Sequence, residues 1–154
     1  MLINFLIFNF PKAKIFLGDG GAYFLGVLIS ISVIKTSIAN PAISPFYFCI
    51  LLFYLFFEVF FSFFRKMFFA KQTPLLPDNL HLHMCFYKVL LKKYKTKLKS
   101  NYAVSVYINL IYVLLIIPAI IFINDGIFCR SYFLFLLIIY IYFYRMLHKK
   151  LQIK

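Results

Sequence analysis

The chain alternates long apolar stretches with short polar segments that carry most of its lysines. Four stretches come close to the roughly 20 apolar residues that a bilayer core requires of a helix. They are Ala22 to Ile38, Ser44 to Phe64, Ala103 to Ile123 and Ile127 to Tyr144. The exceptions within them, Lys35, Glu58, Pro118 and Arg130, all sit toward a span end, where a long side chain can reach the interface. The opening MLINFLIFNF is too short to cross alone and lacks the basic start and small-residue cleavage site of a signal peptide. It is expected to be the tail of a span that begins upstream. The pattern predicts an all-α polytopic transmembrane helical bundle over residues 1–154, with about four spans plus a truncated N-terminal one. Packing should rest on van der Waals fit, with Gly26, Ser30 and Ser32 as small contacts.

Composition agrees, since 64% of residues are hydrophobic, the mean hydropathy is +0.92 and only four of 154 residues are acidic. That excludes an ordinary soluble domain. The 22 phenylalanines are not read as an aromatic binding surface, because Phe and aliphatic residues are interchangeable toward lipid. The net charge of +13 suggests nucleic acid, but the positions of the basic residues follow the inside-positive bias of membrane proteins, so no nucleic acid partner is expected. All but Lys35 and Arg130 of the 17 basic residues fall on one side if both ends face the cytoplasm. The stretch 65–101 then becomes a cytoplasmic basic loop, on the same side as Asp19. Its run KVLLKKYKTKLK, Lys88 to Lys99, can attract anionic membrane lipid at up to about 1 kcal/mol per basic residue, or an anionic substrate. Cys49, Cys85 and Cys129 form no CxxC pair, which indicates neither a disulfide framework nor a metal knuckle.

Candidate chemistry concentrates in three places. Asp19 lies in FLGDGGAYFLG, where Gly18, Gly20 and Gly21 allow a tight turn and close approach to a phosphate or metal-bound diphosphate; equally, Asp19 could simply cap the following helix. His81 and His83 lie in PDNLHLH, and in an extended backbone both imidazoles would point the same way. Paired imidazoles bind metal, move protons or hydrogen-bond phosphate, or else stabilise a turn. Glu58, Ser62 and Arg65 share one helical face, most simply as a structural tie between Glu58 and Arg65.

In order and spacing, KAKIFLGDGGAYFLG, NPAISPF, FEVFFSFFRK and PDNLHLH resemble the C-terminal half of the bacterial polyprenyl-phosphate N-acetylhexosamine-1-phosphate transferases, glycosyltransferase family 4. The resemblance runs from about Phe8 to Lys93, whereas the last two spans match in character only. It implies an enzyme of the bacterial inner membrane that moves a sugar 1-phosphate from a UDP-N-acetylhexosamine onto undecaprenyl phosphate and releases UMP. By position, Asp19 is similar to the family's magnesium-associated aspartate, with Mn²⁺ as the substitute ion. Phe16 corresponds to the aromatic residue against the uracil, with Gly18 and Gly20 after it in the same binding turn, and His81 and His83 to the histidine motif that handles the diphosphate. Two departures stand out. Met84 replaces a further histidine, and the family's upstream pair of adjacent aspartates does not occur. The polypeptide alone is therefore expected to show little or no transferase activity without a separate N-terminal half or a homo-oligomeric partner. The alternative is a non-catalytic membrane protein, a remnant or an assembly subunit.

Overall fold

The computed structural model describes residues 2–10, 14–15, 17–70, 73 and 79–152. Lys12, Phe16, Lys71, Pro74, Pro77, Asp78 and Lys154 lie outside the described residues. Within them the chain is helical, without strands: α1 (Leu2–Asn9), α2 (Gly18–Ala39), α3 (Pro45–Leu51), α4 (Phe53–Phe64), a π-helical turn (Arg65–Ala70), α5 (Leu82–Tyr94), α6 (Lys97–Ile121) and α7 (Gly126–Gln152). This is an all-α multi-pass membrane architecture. Among the described residues three helices, α2, α6 and α7, are long and apolar enough to cross a bilayer.

The second expected span departs from a straight crossing. α3 and α4 meet at Leu52 and are bent by 75°, so that Ser44 to Phe64 is a broken span or a re-entrant segment. Ser44 is extended (φ −61°, ψ 131°) ahead of Pro45, whose fixed φ suits the first helical position. Leu52 leaves helical geometry at φ −107°, ψ 9°. A break in lipid must satisfy the backbone groups it frees. Here the Tyr112 hydroxyl, from α6, donates to the Leu51 carbonyl. At the other end the Ser44 N–H donates to the Ile123 carbonyl (3.0 Å), fastening the start of α3 to the turn between α6 and α7.

That turn ends in a well-formed cap. One Asp125 carboxylate oxygen accepts from the N–H groups of Ile127 (3.0 Å) and Phe128 (2.9 Å), satisfying two orphan donors at the start of α7. The core lies where α3, α4 and α5 meet α6 and α7, around Ile50, Cys85, Cys129, Leu136 and Tyr140.

Two further expectations change. The stretch 65–101 is not a loop in its described part: it holds the π-helical turn, all of α5 and the first turn of α6. α5 has a buried side, with Cys85 and Leu90, that packs on α6 and α7, while Lys92 and Lys93 stay exposed. It ends at Lys95 in the left-handed region (φ 55°), with Lys92 and Lys93 complementing the carbonyl end of the helix. Second, α2 buries none of its residues. Gly26 opens onto free space, and the hydroxyls of Ser30 and Ser32 fold back onto the Gly26 and Leu28 carbonyls of their own helix (2.9 and 2.8 Å).

Candidate functional site

α5 begins at a point fixed by another helix. His81 is its N-cap residue, with φ −61° and ψ 152°, but its side chain caps nothing. The first N–H of the helix, that of Leu82, donates to Glu58 Oε1 of α4 at 2.6 Å. The same oxygen lies 3.1 Å from His81 Nδ1. Glu58 Oε2 accepts from the Tyr140 hydroxyl of α7 at 2.7 Å. One buried carboxylate therefore joins α4, α5 and α7, and its charge complements the positive end of α5. The spacing within α4 points to Arg65 as the partner of Glu58; the carboxylate instead reaches across to other helices. Glu58 and Ser62 do share one buried face, as their separation by four requires.

Tyr140 owes its position to aromatic packing. Its ring meets those of Phe57 and Phe61 edge-on, with centroids 4.8 and 5.4 Å apart, and Phe53 at 6.4 Å. Such edge-to-face pairs are favoured by the ring quadrupoles. Phe57 and Phe61 also line an open apolar groove along α4, with Phe56, Phe60 and Phe64. The groove and the carboxylate thus use opposite sides of the same few turns.

The two histidines do come together, although by a different backbone from the extended one expected. His81 precedes the helix and His83 sits in its first turn, and their rings stack at 5.7 Å with 10° between planes. His81 keeps 28% of its side chain open to solvent. Its Nε2 has no hydrogen-bond partner among the described residues. His83 is more open, yet the protein beneath it penalises its charge: burial pushes this imidazole below the ordinary histidine range. The Glu58 charge opposes that shift, and a charged His81 reinforces it.

Asp19 lies in the first turn of α2. Gly18 starts α2 with φ +71°, a conformation that glycine adopts without strain. The N-cap position is Leu17, so Asp19 falls inside the first helical turn and is not the cap. It is exposed, as is Gly20, whose absent Cβ would meet nothing within 4 Å. Asp19 has no hydrogen-bond or ion-pair partner among the described residues, and its negative charge suits the N-terminal end of α2. Among those residues no three His, Cys, Asp or Glu side chains converge on a metal-sized point. Nor does α2 bury any residue against the elements that carry His81 and His83. A Mg²⁺ held here would have Asp19 as its carboxylate among the described residues, and its remaining positions would fall to phosphate oxygens and water.

The residues that sequence reasoning missed are Tyr140 and the reach of Glu58 to His81. A faint signal existed, because an intramembrane glutamate requires a partner. Spacing along one helix cannot name a partner on another.

Residues 1–37 match the model of the family described as glycosyl transferase family 4. Over 97 residues, 63% of this chain, the sequence is 34% identical to the undecaprenyl-phosphate alpha-N-acetylglucosaminyl 1-phosphate transferase of Thermotoga maritima. The matched stretch amounts to 31% of that relative's length. No solved structure matches the chain.

Proposed function

We propose, from the similarity of residues 1–37 to glycosyl transferase family 4 and of 97 residues to the Thermotoga maritima transferase, that this chain is a member of that family and serves a phosphosugar transfer at the membrane surface. A sugar 1-phosphate of the N-acetylhexosamine type passes from a UDP-sugar to undecaprenyl phosphate, and UMP leaves. The observation that carries this reading is the stacked pair His81–His83, held by a buried carboxylate at the head of α5. The identity to the Thermotoga maritima transferase supports it.

In this reading His81 offers Nε2, which has no partner among the described residues, to a diphosphate oxygen, and His83 stands beside it. The groove along α4 receives part of the polyprenyl chain, whose CH₂ groups match its phenylalanine walls. Asp19 would hold Mg²⁺ (or Mn²⁺), which neutralises phosphate charge when bound. Phe16, Gly18 and Gly20 would receive the nucleotide. The basic segment Lys88 to Lys99 draws anionic lipid and substrate to this face. The bias of the basic residues supports a bacterial inner-membrane protein with both termini in the cytoplasm.

The test is UMP release from UDP-N-acetylglucosamine with undecaprenyl phosphate in proteoliposomes. The chain is measured alone and co-expressed with the N-terminal half of the Thermotoga maritima relative. Turnover that requires the chain, and falls at least about 100-fold in Asp19→Asn, supports the reading. No turnover in either preparation, or an unaltered rate in Asp19→Asn, overturns it in favour of a non-catalytic membrane protein.

A further inference from the structure

Among the described residues Glu58 has three hydrogen-bonding neighbours within 3.1 Å, with the Tyr54 hydroxyl also beside the carboxylate, and only two of the three are fixed in sense. The Leu82 N–H can only donate, at 2.6 Å to Oε1. The Tyr140 hydroxyl donates to Oε2 at 2.7 Å. The third neighbour, His81 Nδ1, stands 3.1 Å from Oε1 and can hold a proton or lack one. An ionised carboxylate is an acceptor only, and a buried one is stable only when its lone pairs are met by donors. The proton between Oε1 and the imidazole therefore belongs on Nδ1.

We propose that Glu58 is a positioning residue for His81: it holds the imidazole as the Nδ1–H tautomer and turns the unprotonated Nε2 outward. The proposal rests on the functional reading above for its consequence, not for its geometry. Neutral His81 then presents a proton acceptor to the outside. Once Nε2 takes up a proton, His81 becomes an imidazolium that donates to a phosphate oxygen, with Glu58 as counter-charge behind it. This is the logic by which a carboxylate behind a ligand histidine sets tautomer and ring orientation. Tyr140, in turn, orients Glu58 through the other oxygen, and Phe57 and Phe61 hold Tyr140. A histidine motif at the membrane surface is thus aligned from inside the helical bundle.

The test is ¹⁵N NMR of the full chain, labelled at histidine imidazoles, in lipid nanodiscs above pH 8, with His81 assigned through His81→Gln. Expected is a His81 signal with Nδ1 protonated and Nε2 bare. In Glu58→Gln the ratio of Nδ1–H to Nε2–H forms should fall by about tenfold or more, the worth of one hydrogen bond to a charged acceptor. Tyr140→Phe loosens Glu58 at Oε2 but keeps the Oε1 contacts with Leu82 and His81, and should retain the tautomer; its loss there as in Glu58→Gln would mean that the signal follows packing and would overturn the proposal. A wild-type chain with Nε2–H predominant, or a ratio unmoved in Glu58→Gln, overturns the proposal. Because the readout needs no turnover, it stands or falls separately from the transferase assay.

Discussion

Replacing Tyr140 by Phe removes a single hydroxyl and keeps the ring, and so isolates the bond to Glu58. The ring contacts with Phe53, Phe57 and Phe61 survive, at centroid separations of 6.4, 4.8 and 5.4 Å. What is lost is a 2.7 Å bond to a carboxylate that is only 8% exposed, on a tyrosine that is 5% exposed. Water cannot readily replace it. Hydrogen bonds to charged groups contribute about 1.5–3 kcal/mol, which shifts the unfolding equilibrium by about 10- to 100-fold. Tyr132→Phe provides the comparison, since the Tyr132 hydroxyl donates to the neutral Leu115 carbonyl at 2.9 Å. Its loss should cost about 0.6 kcal/mol, the typical worth of a neutral interhelical bond in a bilayer. Unfolding can be followed by thiol labelling during SDS titration in mixed micelles, because Cys85 and Cys129 are fully buried. Exposed Cys49 is first changed to Ser to remove background labelling. A double-mutant cycle with Glu58→Gln should return a coupling energy of about 1 kcal/mol or more. If Tyr140→Phe proved no more damaging than Tyr132→Phe, Glu58 would not be the charged acceptor that the geometry describes.

Two other outcomes can be measured in the same way. Burial depresses the His83 pKa in the folded state below the usual value of about 6.5, so the folded chain binds fewer protons than the unfolded one in that window. The associated stability is complete above the unfolded pKa and is lost as pH falls through the folded one; the SDS midpoint should drop between pH 7.5 and 5, and His83→Gln should flatten that drop. Asp125→Ala removes the acceptor for the Ile127 and Phe128 N–H groups, and should cost about 1 kcal/mol; an unchanged midpoint would show that water replaces the cap.

From its residues alone the chain declares a helical membrane protein, and the reason is local. In lipid each spanning segment must satisfy its own backbone, so a long apolar stretch with few charges already implies a helix. α2, α6 and α7 follow that rule and overlap the stretches expected at 22–38, 103–123 and 127–144. The pairing of His81 with His83 was also legible from their separation by one residue, although the backbone between them is the start of a helix. Tertiary structure alone decided the rest. The break at Leu52 depends on a hydroxyl from α6 that accommodates the freed carbonyl. The helix inside the basic stretch 82–94 forms because Cys85 and Leu90 have α6 and α7 to pack against. Glu58 finds His81, Leu82 and Tyr140 at 23, 24 and 82 positions along the chain. Spacing along a helix reports only neighbours three and four residues away; which distant donors meet a buried carboxylate is set by how bent and straight helices fit together in three dimensions.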